Sequence, residues 1–284
     1  MGAGLDIDTG PDDTGWAQVA VRIDDYATAE HVGTTHLGPL MASAEHAGLI
    51  TCWWFVRKNP YWRLRWRPVP GTAHEANHVV QRALDTLRGK GIIAETTATI
   101  YEPEIHAFGG EKAMDLAHRL FHADSTHLLD HLAGDRGRGP SPGEKRRELT
   151  VLLCSNLMRA AGQDWYEQGD IWARVADNRP LPASTSADQV HAAVAGLQRL
   201  MTVDASPTSP LLQPGGSLAH VTGWATAFDT AGQHLGRLAR AGTLRRGVRA
   251  VLAHHVLFHW NRLGLPHDTQ ALIAHTAKTV VLGT

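Results

Sequence analysis

The feature that most constrains this chain is a change of hydrophobic period partway along it. Between Trp16 and Tyr101, stretches that alternate apolar and polar residues take turns with stretches of helical spacing, and past the Gly109-Gly110 pair only helical spacing remains. Ala17, Val19, Val21 and Ile23 alternate with Gln18, Ala20 and Arg22, the period of a half-buried strand. From Tyr26 to Gly48 the apolar positions recur as on a helix, with Asp24 and Asp25 as N-cap candidates, Pro39 as a point of kinking or splitting, and Gly48 as a stop. Ile50–Arg57 and Tyr61–Arg67 flank the turn-like Lys58-Asn59-Pro60 and predict a hairpin. A helix over His74–Arg88 and a Thr-rich strand over Ile92–Tyr101 complete the order strand, helix, strand, strand, helix, strand. That order is the split βαβ arrangement of ferredoxin-like units.

The second half reads as helices over Glu111–Leu132, Gly143–Ala161, Asp164–Ala176, Ser186–Met201, Ser217–Arg240, Leu244–Leu263 and His267–Val281. Loops rich in Gly, Pro and Ser separate some of them, at Gly134–Gly143, which carries Arg136 and Arg138, and at Ser206–Gly216. The expected class is α+β: a ferredoxin-like four-stranded sheet with two helices, then a helical bundle. The expected divisions are a disordered start over 1–15, an α/β subdomain over 16–108 and a helical subdomain over 109–284.

Composition narrows the function classes. Lys and Arg total 27 against 28 Asp and Glu, which argues against a general nucleic-acid coat or a membrane-surface protein. The N-terminal stretch has no apolar core of a signal peptide, and no eighteen apolar residues run together, so a cytoplasmic protein without a membrane span is expected. The two cysteines, Cys52 and Cys154, lie far apart and suggest a reducing compartment rather than a disulfide frame. His118 with His122, and His255 with His259, have the i, i+4 spacing of helical zinc sites. Neither pair has a Glu directly after its first histidine, and in a chain with 18 histidines the coincidence is expected. No metal is predicted. No glycine-rich phosphate loop follows a strand, and no cofactor is expected.

Three segments carry side chains suited to chemistry. In Tyr61-Trp62-Arg63-Leu64-Arg65-Trp66-Arg67, a period of two sends Trp62, Leu64 and Trp66 to the core and lines up Arg63, Arg65 and Arg67 on the other face, roughly 6–7 Å apart. A guanidinium fork matches a carboxylate bidentately, so such a row suits a substrate with two carboxylates, while a solvated arginine face is the plain alternative. In Tyr101-Glu102-Pro103-Glu104-Ile105-His106-Ala107-Phe108-Gly109-Gly110, Glu104 is placed to orient an arginine or take a proton, or else to be a solvated loop residue. In the helix that ends His254-His255-Val256-Leu257-Phe258-His259-Trp260-Asn261-Arg262-Leu263-Gly264, His255, His259 and Arg262 share one stripe. Histidine is the proton carrier of neutral pH, though most helix histidines are packing or surface residues.

Trp53–Lys58, Trp62–Trp66, Tyr101–Glu104 with Phe108-Gly109-Gly110, the run Ala117-His118-Arg119-Leu120-Phe121-His122-Ala123-Asp124-Ser125, and His259–Gly264 together resemble the thiopeptide-type bacteriocin biosynthesis family. That family is similar to the C-terminal elimination domain of lantibiotic dehydratases, and the resemblance runs from about Trp16 to the C-terminus. It implies a tailoring enzyme of ribosomally made peptides, a lyase that expels glutamate from glutamylated Ser or Thr to leave dehydroamino acids. The implied partners are a precursor peptide with its leader and a separate tRNA-dependent glutamylating dehydratase subunit, with no direct nucleic acid or membrane contact; an oligomer is compatible. The implied catalytic residues are Arg63, Arg65, Glu104 and His259, with Arg67, Arg262, His106 and His255 as substrate-binding candidates. One departure stands out: eliminating members often carry arginine just before the aromatic-Gly-Gly step, where this chain has Ala107, so that Arg67 or Arg262 would have to substitute or elimination would be lost. Two alternatives therefore accompany elimination. One is the [4+2] cycloaddition that joins two dehydroalanines into a pyridine, and the other is a non-catalytic partner that binds the leader along the sheet edge.

Overall fold

The computed structural model describes residues 15–134 and 145–283. The disordered start expected over 1–15, save Gly15, and the loop bearing Arg136 and Arg138 lie outside the described residues. The chain divides into two compact units, Met1–Pro103 and Glu104–Thr284.

The first unit is a four-stranded antiparallel sheet with helices. Its strands are β1 (Ala17–Arg22), β2 (Ile50–Lys58), β3 (Tyr61–Pro68) and β4 (Glu95–Ala98), in the order β2-β3-β1-β4. The ferredoxin-like arrangement expected from the element order is the one found. Lys58 pairs with Tyr61 across a two-residue turn, and β1 lies between β3 and β4, with Val19 opposite both Leu64 and Ala98. The apolar face of the sheet carries Val19, Val21, Trp53, Phe55, Trp62, Leu64 and Trp66, all buried, and Phe55 stacks on Trp62 with ring centroids 4.5 Å apart. The helix α3 (Ala73–Gly89) turns Ala76, Val80 and Leu84 inward, the i, i+4, i+8 stripe of an amphipathic helix, and Asn77 accepts the Trp66 indole N–H at 3.0 Å.

Two expected elements take a different form. The single helix over 26–48 is a 3₁₀ turn (Tyr26–Thr28), α1 (Ala29–Val32), a π turn (Gly33–Leu37) and α2 (Gly38–His46). Pro39 sits in the first turn of α2, where its missing N–H costs nothing, so the break falls just ahead of it. The last strand is four residues long rather than ten, because after Thr99 N–H bonds to Gln18 C=O the Gln18 side chain takes over, donating to Thr99 Oγ1 at 2.7 Å and to Ile100 C=O at 3.0 Å.

In the described residues the second unit is helical: α4 (Glu111–Gly134), α5 (Lys145–Ala160), α6 (Trp165–Asp177), α7 (Ala187–Thr202), α8 (Thr222–Arg240), α9 (Val248–Leu263) and α10 (His267–Leu282). Capping boxes start α6, from Asp164 and Glu167, and α7, from Ser186 and Gln189. The helix α9 begins at Val248 rather than Leu244, and Arg245 N–H, ahead of it, donates to Gly109 C=O at 2.8 Å. Close packing of α8 on α5 depends on Gly232 and Gly236: a Cβ on Gly232 would lie 2.4 Å from Leu157 O, and one on Gly236 2.7 Å from Ala161 O. No helix among the described residues is long and apolar enough to cross a membrane.

Candidate active site

On the sheet, the arginine row lies on the face opposite Trp62, Leu64 and Trp66, but its three members differ. Arg67 is exposed and Arg63 half-buried, with neither hydrogen bond nor ion pair among the described residues. Arg65 is only 7% exposed. Its guanidinium lies over Trp54 and Tyr101, 4.2 and 4.5 Å from the ring centroids, and its Nε–H donates to Gln18 Oε1. Register explains the cage: Gln18 and Trp54 are the cross-strand partners of Arg65 on β1 and β2, so all three project from the same face. Desolvated cation–π contacts fix the charge in place.

In the helical unit, the segment after Pro103 is held by its own backbone: Phe108 N–H bonds to Glu104 C=O, and Gly109 and Gly110 take φ of +90° and +109°, which side chains resist. This presents the Glu104 carboxylate, half exposed, to His254, with Nε2 and Oε2 2.7 Å apart. Beside the pair a cleft of about 430 Å³ is lined by His106, Ala107, Arg174, Asp177, Arg246 and the α9 residues Ala250, Ala253, His254 and Leu257, among others.

His259 and Arg262 meet on a residue of α4. His259 Nδ1 lies 2.9 and 3.0 Å from the two carboxylate oxygens of Asp124, Arg262 donates to the same carboxylate, and Trp224 Nε1–H donates to it at 2.8 Å. Burial alone would raise the Asp124 carboxyl, but the charges of His259 and Arg262 and the bonds from His259 and Trp224 outweigh it and hold the group below the usual carboxylate range. The Asp124 contact takes Nδ1 and leaves Nε2 of His259 as its one uncommitted ring nitrogen. The ring is 3% exposed and packs edge-on against Trp224 and Phe228. His255 is buried against Phe108 and Phe121 with both ring nitrogens unbonded, and burial, followed by the charges of His254 and Arg262, pushes its pKa down to about 3. A ring so placed stays neutral at physiological pH.

The structure thus brings His259 and Arg262 to one carboxylate and Glu104 to a different histidine, His254. Of the two arginines expected to substitute for one at 107, Arg67 lies on β3 and Arg262 is bonded to Asp124. Arg246 is the guanidinium found there, its Nη1 donating to Ala107 C=O at 2.7 Å. Asp124 and His254 were not singled out from the sequence as site residues. Asp124 had a signal, because it sits on the stripe Phe121, Asp124, Ser125, Leu128 of a helix whose other stripe members are apolar or small, where a bare charge is costly without partners. His254 had none, since its partner Glu104 is 150 residues away. Among the described residues no three His, Cys, Asp or Glu side chains gather as a metal site would need.

Several solved structures share this fold. The tRNA-dependent lantibiotic dehydratase MibB from Microbispora sp. 107891 superposes with a TM-score of 0.72 at 17% identity over 95% of this chain, which spans 28% of the MibB chain. TsrL gives 0.62 at 16% identity, covering 93% of this chain and 95% of that one. TbtD, a pyridine synthase from thiomuracin biosynthesis, gives 0.67 at 14% identity over 95% of this chain and 98% of its own. No curated protein matches the chain. The family described as lantibiotic biosynthesis dehydratase C-term matches residues 16–281, and the chain is a member of that family.

Proposed function

We propose that the chain is a glutamate-eliminating lyase of ribosomal peptide tailoring, acting on Ser or Thr residues of a precursor peptide that a separate tRNA-dependent subunit has glutamylated. The observation that carries this reading is the arginine face of β3. Arg65 is a caged, desolvated cation and Arg63, two residues along, is half-buried without a partner among the described residues, an arrangement suited to the one free carboxylate of a glutamyl ester and to the second carboxylate that forms as the ester leaves. In this reading Arg63 and Arg65 hold the free glutamyl carboxylate and the ester carbonyl, and Glu104, poised by His254, takes the substrate's α-proton. The electrons form the new C=C bond as the β C–O bond breaks. The departing carboxylate leaves as glutamate, its charge met by the arginines and by a proton from His259 Nε2. The reading demands that a substrate gain access to His259, whose ring is 3% exposed, so that residue is where it is tested hardest.

Ala107 favours a second reading. A chain without the arginine that eliminating relatives often carry is suited to the pyridine-forming cycloaddition, the activity named for TbtD. Mass spectrometry separates the two readings. Incubation with a glutamylated precursor should show loss of glutamic acid, whereas a fully dehydrated linear precursor should stay linear. A pyridine-containing macrocycle with released leader from the second substrate, and an untouched ester in the first, would establish cyclisation instead. Binding of either peptide with no product would leave the role of a non-catalytic peptide-binding partner.

A further inference from the structure

In the core of the helical unit the Asp124 carboxylate meets three groups: His259 Nδ1, 2.9 and 3.0 Å from its two oxygens, Trp224 Nε1–H at 2.8 Å, and the Arg262 guanidinium. An indole N–H and a guanidinium can only donate, whereas an imidazole nitrogen can donate or accept. The carboxylate therefore decides which ring nitrogen carries the proton. With the proton on Nε2, the Nδ1 lone pair would face two anionic oxygens at bonding distance, and an N–H would be buried at Nε2, which has no partner among the described residues. With the proton on Nδ1, the carboxylate accepts it and only a lone pair is left at Nε2. Arg262, 1% exposed and lying over Phe121, gives Asp124 a standing counter-charge, so the carboxylate stays anionic whether or not Nε2 is protonated. Stability alone does not account for such a node, because a buried ion pair often holds a fold no better than apolar side chains of the same volume.

We propose that Asp124 is a positioning residue: it holds neutral His259 as the Nδ1–H tautomer, which makes Nε2 the atom at which protons come and go, and Arg262 is the counter-ion of Asp124 rather than a ligand for substrate. That Nε2 serves elimination rests on the elimination reading; the tautomer does not. Asp124→Asn loosens the hold at nearly constant volume. Since Nδ1 is almost equidistant from the two oxygens, whichever of them becomes the amide nitrogen lies 2.9 or 3.0 Å from Nδ1 and offers it a proton.

Proton–nitrogen correlation spectra of protein with nitrogen-labelled histidine, taken at a pH where the ring is neutral, read the tautomer directly. The His259 signals are assigned by their loss in His259→Gln. Wild type should show a protonated Nδ1 and a bare Nε2, the rarer form of a free imidazole. Asp124→Asn should move the proton wholly or partly to Nε2, whereas Trp224→Phe, which removes another bond to the same carboxylate, should leave it on Nδ1. In single turnover of a glutamylated precursor, Asp124→Asn should be slower by roughly 10²–10⁴-fold, and Asp124→Asn combined with His259→Ala no slower than His259→Ala alone, because the first residue acts through the second. A neutral wild-type ring with its proton on Nε2, an unshifted tautomer in Asp124→Asn, or rate losses that multiply in the double variant would overturn the assignment. A wild type that leaves the ester intact yet shows the Nδ1–H tautomer would contradict elimination and uphold the positioning. The wild-type spectrum needs no change at position 124, so the test survives a misfolded Asp124→Asn.

Discussion

Arg65 and Arg63 sit two residues apart on one strand face and should respond to truncation in opposite ways. The sequence pattern alone suggests that either could be cut to alanine without harm to the fold, but Arg65 is buried between Trp54 and Tyr101 and bonded to Gln18, so its loss empties a cage. Arg65→Ala should lower stability by about 3 kcal/mol, one desolvated cation–π contact plus one charged hydrogen bond, whereas Arg63→Ala should stay within about 0.5 kcal/mol. Urea unfolding of both variants checks the split; equal stabilities would mean that the cage contributes nothing. His255 supports a second residue-scale prediction. Its pKa falls from 6.5 unfolded to about 3 folded, so between those values the unfolded chain binds the extra proton and stability is lost as pH drops below about 6.5. His255→Leu should remove a slope of about 1.4 kcal/mol per pH unit from the difference between pH 6 and pH 4. A variant that loses stability with acid as steeply as wild type would show that His255 is not the group responsible.

At the scale of elements, the Asp124 carboxylate joins α4 to α8 through Trp224 and to α9 through His259 and Arg262, with both ionic partners almost wholly buried. Breaking one side of such a pair leaves an uncompensated charge inside. Asp124→Asn should therefore cost about 3–5 kcal/mol, seen as a lower thermal midpoint, despite its near-identical volume. A midpoint within a degree of wild type would show that Arg262 finds another counter-charge. Legibility follows range. The hairpin, α3 and the helices of the second unit could be read from the chain because a period of 2 or 3.6 is a local property, visible in Tyr61–Arg67 or in Ala76, Val80 and Leu84. The cage around Arg65 could not, since it needs Gln18 and Tyr101, 47 and 36 residues away from it, and neither could the Asp124–His259 bond, which spans 135 residues. The expected fourth strand was too long for a related reason: Thr-rich spacing continues to Tyr101, but the ladder gives way where a glutamine side chain replaces backbone partners.

For the whole molecule, family membership and fold leave the reaction itself to be assigned by the side chains, because folds of this kind host more than one chemistry. The elimination account calls on Arg63 and Arg65 for the glutamyl group, and on Glu104 and His259 for the protons. His259→Ala should slow elimination by roughly 10²–10⁴-fold if that ring transfers a proton. Arg63→Ala gives the sharper comparison, since it removes a charge from a position with few packing contacts. The most direct measurement is the single-turnover rate of glutamic acid release from a glutamylated precursor peptide, followed by mass spectrometry for wild type and Arg63→Ala. The account predicts conversion to the dehydroamino acid by wild type and a rate lower by roughly 10–100-fold in the variant. A glutamyl ester left intact by wild type, or the same rate in both proteins, would contradict it.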